Sequence, residues 1–179
     1  YMVNDITDDG TIAVGGYNGS LTDDGSYLGI PGIFDMSTKT WRKLTCPLTV
    51  QSGYVTSVTP DGKYAVGFGE DNAADVFSSN STGIMWDLTT MRPMTLNGLP
   101  TMPQDYTSRQ ETYTQISADG RYIIIYGNQS IRPTAYVYDR TNESYIQFGK
   151  GGTNAPAGFL MMEGAPVISA NGKYVAGTI

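Results

Sequence analysis

Val58-Thr-Pro-Asp-Gly-Lys-Tyr-Ala-Val-Gly67 decides how the rest of the chain is read, because the chain carries this stretch in four versions. The others are Ile6-Thr-Asp-Asp-Gly-Thr-Ile-Ala-Val-Gly15, Ile116-Ser-Ala-Asp-Gly-Arg-Tyr-Ile-Ile-Ile125 and Ile168-Ser-Ala-Asn-Gly-Lys-Tyr-Val-Ala-Gly177. Each is an apolar strand end, a polar corner closed by Asp-Gly or Asn-Gly, and a second strand. In Thr59-Pro60-Asp61-Gly62 the proline takes the second turn position, where its fixed φ fits, and the aspartate bonds nearby backbone. Gly62 takes the left-handed conformation that closes the hairpin. β-Branched and aromatic residues on both sides suit a pleated strand. The apolar residue three positions before each Asp or Asn (Ile6, Val58, Ile116, Ile168) binds the four versions into one repeat.

Between the corner residues Asp9, Asp61, Asp119 and Asn171 the steps are 52, 58 and 52 residues. A second landmark keeps the period: Phe34-Asp35-Met-Ser-Thr, Trp86-Asp87-Leu-Thr-Thr and Tyr138-Asp139-Arg-Thr-Asn each set an aromatic and an aspartate before a turn, at steps of 52 and 52. Trp41 and Tyr145 then open a further strand, which ends at Leu44, Leu96 or Phe148. One unit therefore reads as four strands, in the second copy through Val55–Val58, Lys63–Phe68, Gly83–Leu88 and Met91–Leu96. Repeated four-stranded antiparallel units of this size predict an all-β fold, a β-propeller. The blades are expected at about 1–48, 53–99 and 112–149, with half a blade at about 165–179. Three and a half blades fall short of the four to eight that close a ring. The expectation is a piece of a larger propeller, its remaining blades in the same polypeptide or in another subunit.

Composition agrees. The 179 residues include 22 Gly, 9 Pro and 13 Tyr with only 16% charged residues, which suits one turn-rich β domain, and no window keeps a helical period. The net charge is −6 and the Lys and Arg residues are scattered. Nucleic-acid binding needs a clustered basic face, so that role is disfavoured, as is an anionic membrane surface. The single cysteine, Cys46, excludes a disulfide scaffold built within the chain and reads as a small buried apolar residue. No apolar run of about 20 residues is present, so no helical membrane span is predicted. The chain opens at Tyr1 with neither an initiator methionine nor a signal peptide, as expected of a removed leader or an excised piece.

The corner Thr-Pro-Asp-Gly-Lys-Tyr-Ala-Val-Gly, followed by the aromatic-Asp-x-x-Thr turn, resembles the WD-like repeats of TolB-type propellers. Val14-Gly15 and Val66-Gly67 after the second strand, with Ile84-Met-Trp86 in the third, also resemble the HAF-type repeats of bacterial extracytoplasmic proteins. The resemblance implies a propeller in a secreted, periplasmic or cell-surface protein. It implies no particular activity, because propellers host unrelated ones. Copy three departs from the pattern with Ile125 in place of the glycine, and copy four with Asn171 in place of aspartate.

In this topology the short corners joining strands one and two share a face with those joining strands three and four. The opposite face receives the long, irregular connections, at about Tyr17–Leu28, Cys46–Ser52, Gly69–Thr82, Asn97–Glu111, Asn128–Pro133 and Gly149–Gly164. Binding residues concentrate on variable loops carried by a rigid scaffold, so that face is the candidate surface. Tyr17, Asn18, Tyr27, Asp71, Asn72, Phe77, Tyr106, Arg109 and Phe159 offer aromatic faces beside amides and charges, a composition that stacks on sugars or clasps a peptide.

The chain has no histidine, so a Ser-His-Asp or Cys-His device and a His-ligated metal are excluded within it. Most aspartates have duties in the corners, and Arg42, Arg92, Arg121 and Arg140 fall near those corners rather than on the loop face. Glu70, Asp71 and Asp75, and the Asp23-Asp24-Gly25 loop, are the calcium candidates, without EF-hand spacing. Asn18, Asn80, Asn128 and Asn142 head Asn-x-Ser/Thr triplets. The expectation is a non-catalytic module that binds a protein or glycan and needs no cofactor beyond such a calcium ion. A piece of a carbohydrate-active propeller enzyme, hydrolase or lyase, and a structural spacer are the alternatives.

Overall fold

The computed structural model of the chain describes residues 2–17, 29–47, 52–70, 81–97, 111–127, 134–148 and 166–177. All regular structure within them is β-strand. Strands β1 (Met2–Ile6), β2 (Ile12–Tyr17), β3 (Ile30–Asp35) and β4 (Thr40–Lys43) form an antiparallel sheet in that order. A second sheet holds β5 (Ser52–Val58), β6 (Tyr64–Glu70), β7 (Ser81–Asp87) and β8 (Arg92–Met94). A third holds β9 (Glu111–Ile116), β10 (Tyr122–Gly127), β11 (Thr134–Asp139) and β12 (Ser144–Phe148), and β13 (Val167–Ile168) pairs with β14 (Val175–Ala176). These are the blades of a β-propeller, with the strand number and period that the repeat predicts.

Each corner is built the same way. The Gly62 N–H donates to the Thr59 carbonyl at 2.9 Å, closing a four-residue turn, and Gly62 sits at φ 69°. Gly10, Gly120 and Gly172 stand at 68°, 71° and 68°. The hydroxyl of Thr59 then does two jobs: it donates to Asp61 Oδ1 at 2.7 Å and accepts the Tyr64 N–H at 3.0 Å. Asp61 Oδ1 also accepts the Lys63 N–H at 3.1 Å. Thr7 with Asp9, Ser117 with Asp119, and Ser169 with Asn171 repeat the arrangement. Buried Thr7, Thr59 and Ser117 thus have their polar atoms satisfied.

The core lies between blades. Val14, Ile33 and Leu44 of the first sheet meet Val55, Val58, Ala65, Ile84 and Trp86 of the second. Val66 and Met85 of the second meet Ile116, Ile123, Ile125, Tyr136 and Tyr138 of the third. Side chains alternate across a sheet, so adjacent Ala65 and Val66 face opposite neighbours and both are buried. That two-sided burial is why the second strands read as unbroken apolar runs. Polar ties cross the same seams. Trp86 Nε1–H donates to the Thr45 carbonyl at 2.8 Å, and the Tyr138 hydroxyl, one period later, donates to the Asn97 carbonyl. Half-buried Cys46 packs against the first seam, and burial pushes its thiol pKa up.

The corner glycines differ in their surroundings. A Cβ on Gly10 meets nothing within 4 Å, one on Gly62 meets Ile12 and Thr7 at 3.4 Å, and one on Gly120 strikes the Tyr64 ring at 2.6 Å. Gly10→Ala is therefore expected to cost about 1 kcal/mol, from left-handed strain alone. Gly62→Ala should cost slightly more and Gly120→Ala the most, because the Tyr64 ring must move with the Arg140 guanidinium 4.6 Å above it. Urea midpoints of the three variants check the order, and equal losses at Gly10 and Gly120 contradict it.

Candidate binding face

At one end of the blades the polar groups are spent on structure. Asp35 Oδ1 accepts the N–H groups of Ser37 (2.9 Å) and Thr38 (3.1 Å) and the Ser37 hydroxyl (2.6 Å). Asp87 accepts the N–H groups of Thr89 and Thr90, and Asp139 those of Thr141 and Asn142. Each of these turns ends on a left-handed residue other than glycine: Lys39 (φ 57°), Met91 (60°) and Glu143 (49°). The two kinds of corner are also tied together. Arg121 grips Asp139 with Nε at 2.9 Å and Nη2 at 2.7 Å, and Arg140 Nη1 donates to the Gly120 carbonyl at 2.8 Å. As the sequence predicts, Arg121 and Arg140 serve the corners.

These bonds fix charge as well as shape. The Thr59 hydroxyl, first, and the Lys63 side chain and N–H hold Asp61 down to about 2. The Ser117 hydroxyl lowers Asp119, and the Arg121 side chain lowers Asp139. Asp9 and Asp35 are lowered by their own turn donors. Carboxylates held ionised in this way accept hydrogen bonds well and are poor proton donors.

The opposite end is where β2, β6 and β10 finish and β3, β7 and β11 begin. Asn18, Tyr27, Asp71, Asn72, Phe77, Tyr106, Arg109 and Phe159 lie outside the described residues, as do Asp75 and the Asp23-Asp24-Gly25 loop. Glu70 is the last residue of β6. Among the described residues no group of three or more His, Cys, Asp or Glu side chains comes together. The structure does place Tyr17, the last residue of β2. Its ring stacks on Trp41 with centroids 5.4 Å apart and planes 24° apart, and Phe34 tilts against Trp41 at 5.5 Å. Tyr17 and Trp41 sit on strands separated by β3, and Gly32 of β3 makes the stack possible. A Cβ there would meet the Tyr17 ring at 2.8 Å.

The sequence reading treats Trp41 only as a strand opener, so it misses this pair. The available signal is a glycine in the strand between two aromatic-bearing strands. It also leaves the Ser/Thr two positions before each corner Asp or Asn unassigned, although that spacing holds in all four copies.

The fold is similar to that of solved proteins. TolB from Acinetobacter baumannii superposes with a TM-score of 0.58 at 18% identity, over 98% of this chain and 37% of that one. Hydrazine synthase of Kuenenia stuttgartiensis superposes with a TM-score of 0.52 at 13% identity, over 96% of this chain and 39% of that one. The chain thus spans about two fifths of the length of these proteins, and at such identities the likeness is one of fold. No family model and no curated protein matches the sequence.

The corner carboxylates have a measurable pH consequence. A carboxyl near 2 when folded and about 3.9 when unfolded stabilises the fold fully above about pH 4 and loses that contribution as pH falls through 2. Asn171 makes the same bonds without charge, accepting from the Ser169 hydroxyl at 2.9 Å and the Lys173 N–H at 3.1 Å. Asp61→Asn is therefore expected to keep the corner at pH 7 and to flatten the stability profile between pH 4 and 2. Thermal melts of parent and variant across that range, with an unchanged slope as the contrary result, check it.

Proposed function

We propose that the chain is a non-catalytic binding module of an extracytoplasmic protein, engaging a protein or glycan through the loops at the end of the blades opposite the corners. One observation carries the reading: the division of labour between the two ends. Asp9, Asp35, Asp61, Asp119 and Asp139 are committed to turn donors, and Arg121 and Arg140 to corner acceptors. The long connections of the sequence leave from the other end, where Tyr17, a ligand-binding candidate within the described residues, is held against Trp41. Rings fixed in this way give contact area at small entropic cost on binding. The extracytoplasmic address rests on the resemblance of the repeat, and the reading requires no cofactor.

Two tryptophans make the test direct. Trp86 is fully buried, whereas Trp41 is half-buried beside Tyr17, so a ligand at the stack changes Trp41 emission. Titration with soluble polysaccharides and with envelope protein fractions is expected to give a saturable change. Tyr17→Ala should weaken that binding about tenfold, or ~1.4 kcal/mol, while the β-sheet circular dichroism is kept. New reducing ends or unsaturated products, abolished by Asp71→Asn, would instead make the chain part of a carbohydrate-active enzyme.

A further inference from the structure

Neighbouring blades are tied at recurring places, and the seam between the second and third blades lacks two of the ties. At the corners the Asp8 N–H donates to the Pro60 carbonyl at 3.2 Å, and the Ala118 N–H donates to the Ala170 carbonyl at 2.9 Å. Pro60 holds the repeat position of Asp8 and Ala118 in the second blade. A proline has no N–H, so the second blade cannot give the Ala118 carbonyl the same bond. The inner strands repeat the omission. Asp5 Oδ2 accepts the Val58 N–H of the next blade at 2.9 Å, and Gln115 Oε1 accepts the Ile168 N–H of the next. Their counterpart in the second blade is Ser57, whose shorter side chain bonds back to the first blade, donating to Asp5 Oδ2 at 3.0 Å. Among the described residues, no side chain of the second blade takes the Ile116 N–H.

A third tie changes in kind. The Thr45 N–H donates to the Met91 carbonyl at 3.1 Å, whereas one period later Asn97 and Glu143 meet through their side chains, Nδ2 to Oε1 at 3.0 Å. What else crosses this second seam tolerates displacement. Val66 and Met85 pack on Ile116, Ile123 and Tyr136, and apolar contact is non-directional. Arg140 takes the place of buried Leu88, with its guanidinium 4.6 Å from the centre of the Tyr64 ring. A cation over a ring face is held by the field of the whole face rather than by one acceptor atom. The Tyr138 hydroxyl still reaches the Asn97 carbonyl, but the link that follows Asn97 is six residues longer than its counterpart. Asp61 follows Asp35 by 26 residues, and Asp119 follows Asp87 by 32.

We infer that the seam between the second and third blades is a sliding joint built into the row, while the first and second blades move as one body. Packed elements shear where their contacts set no register, and the two omitted ties are those that set it elsewhere. Glu70 and Gly127 end β6 and β10, where the long connections of the two blades leave, and their separation changes as the joint slides. The joint operates whatever those connections bind.

Thr40, Arg92 and Ser144 share one repeat position, are exposed, and open the last strand of their blades. Spin labels on Thr40→Cys with Arg92→Cys report the first seam, and on Arg92→Cys with Ser144→Cys the second, both in a Cys46→Ala chain. The second distance distribution is expected to be at least about twice as wide as the first. Ser57→Gln copies Gln115 and Pro60→Ala copies Ala118, so each should narrow the second distribution while the β-sheet circular dichroism is kept. Equal widths across the two seams overturn the inference, as does a second width that neither substitution narrows. The comparison of the two seams needs no substitution in the missing ties, so it decides the matter even where a variant does not fold.

Discussion

The bond between the Thr59 hydroxyl and the Asp61 carboxylate, made again in each corner, is the constraint on which the blades depend. A buried hydroxyl costs free energy unless its partners are fixed, and here it bridges the end of strand one and the start of strand two. Thr59 N–H meets the Tyr64 carbonyl at 2.8 Å while Tyr64 N–H meets the Thr59 hydroxyl. That closure sets which residues stand opposite each other, so Val58 lies across from Ala65. A slip of one residue would turn every core side chain of the strand to the wrong neighbour. Polar corner chemistry thereby governs the apolar seams on either side.

The seams explain how much of the fold was legible. A blade covered on both faces needs apolar residues at successive positions in its second strand, and Ile123-Ile124-Ile125 meets that demand openly. Turn residues recur because the left-handed glycine and the carboxylate acceptor are each needed once per corner. Inter-blade ties were harder to see. Trp86 and Tyr138 each reach a carbonyl 41 residues earlier, across a seam that sequence alone does not align. The aromatic-Asp landmark marks these residues, but their partners Thr45 and Asn97 share only a backbone carbonyl, which leaves no side-chain trace.

The candidate face was less legible for a related reason. Repeats report what every blade must do, and recognition is what blades do differently. The Tyr17–Trp41 stack occurs in one blade: the counterpart of Trp41 in the second is Pro93, and in the third Tyr145 packs edge-on against Tyr136. Nothing in the period announces such a pair. It depends on Gly32 leaving room between two strands that are not neighbours.

The seam contacts carry a historical consequence. Trp86 to Thr45 and Tyr138 to Asn97 have one spacing, and Asp8 to Pro60 and Ala118 to Ala170 have another, so the units are fastened at recurring positions, apart from the corner of the second, where Pro60 has no N–H to give the third. A gene segment of one period, cut at any fixed phase, therefore encodes both the plug and the socket of a blade. Unequal recombination between such segments adds or removes a whole blade without creating a new junction. The lineage can change the number of its blades while the loops of each copy diverge, and architecture and specificity are inherited separately.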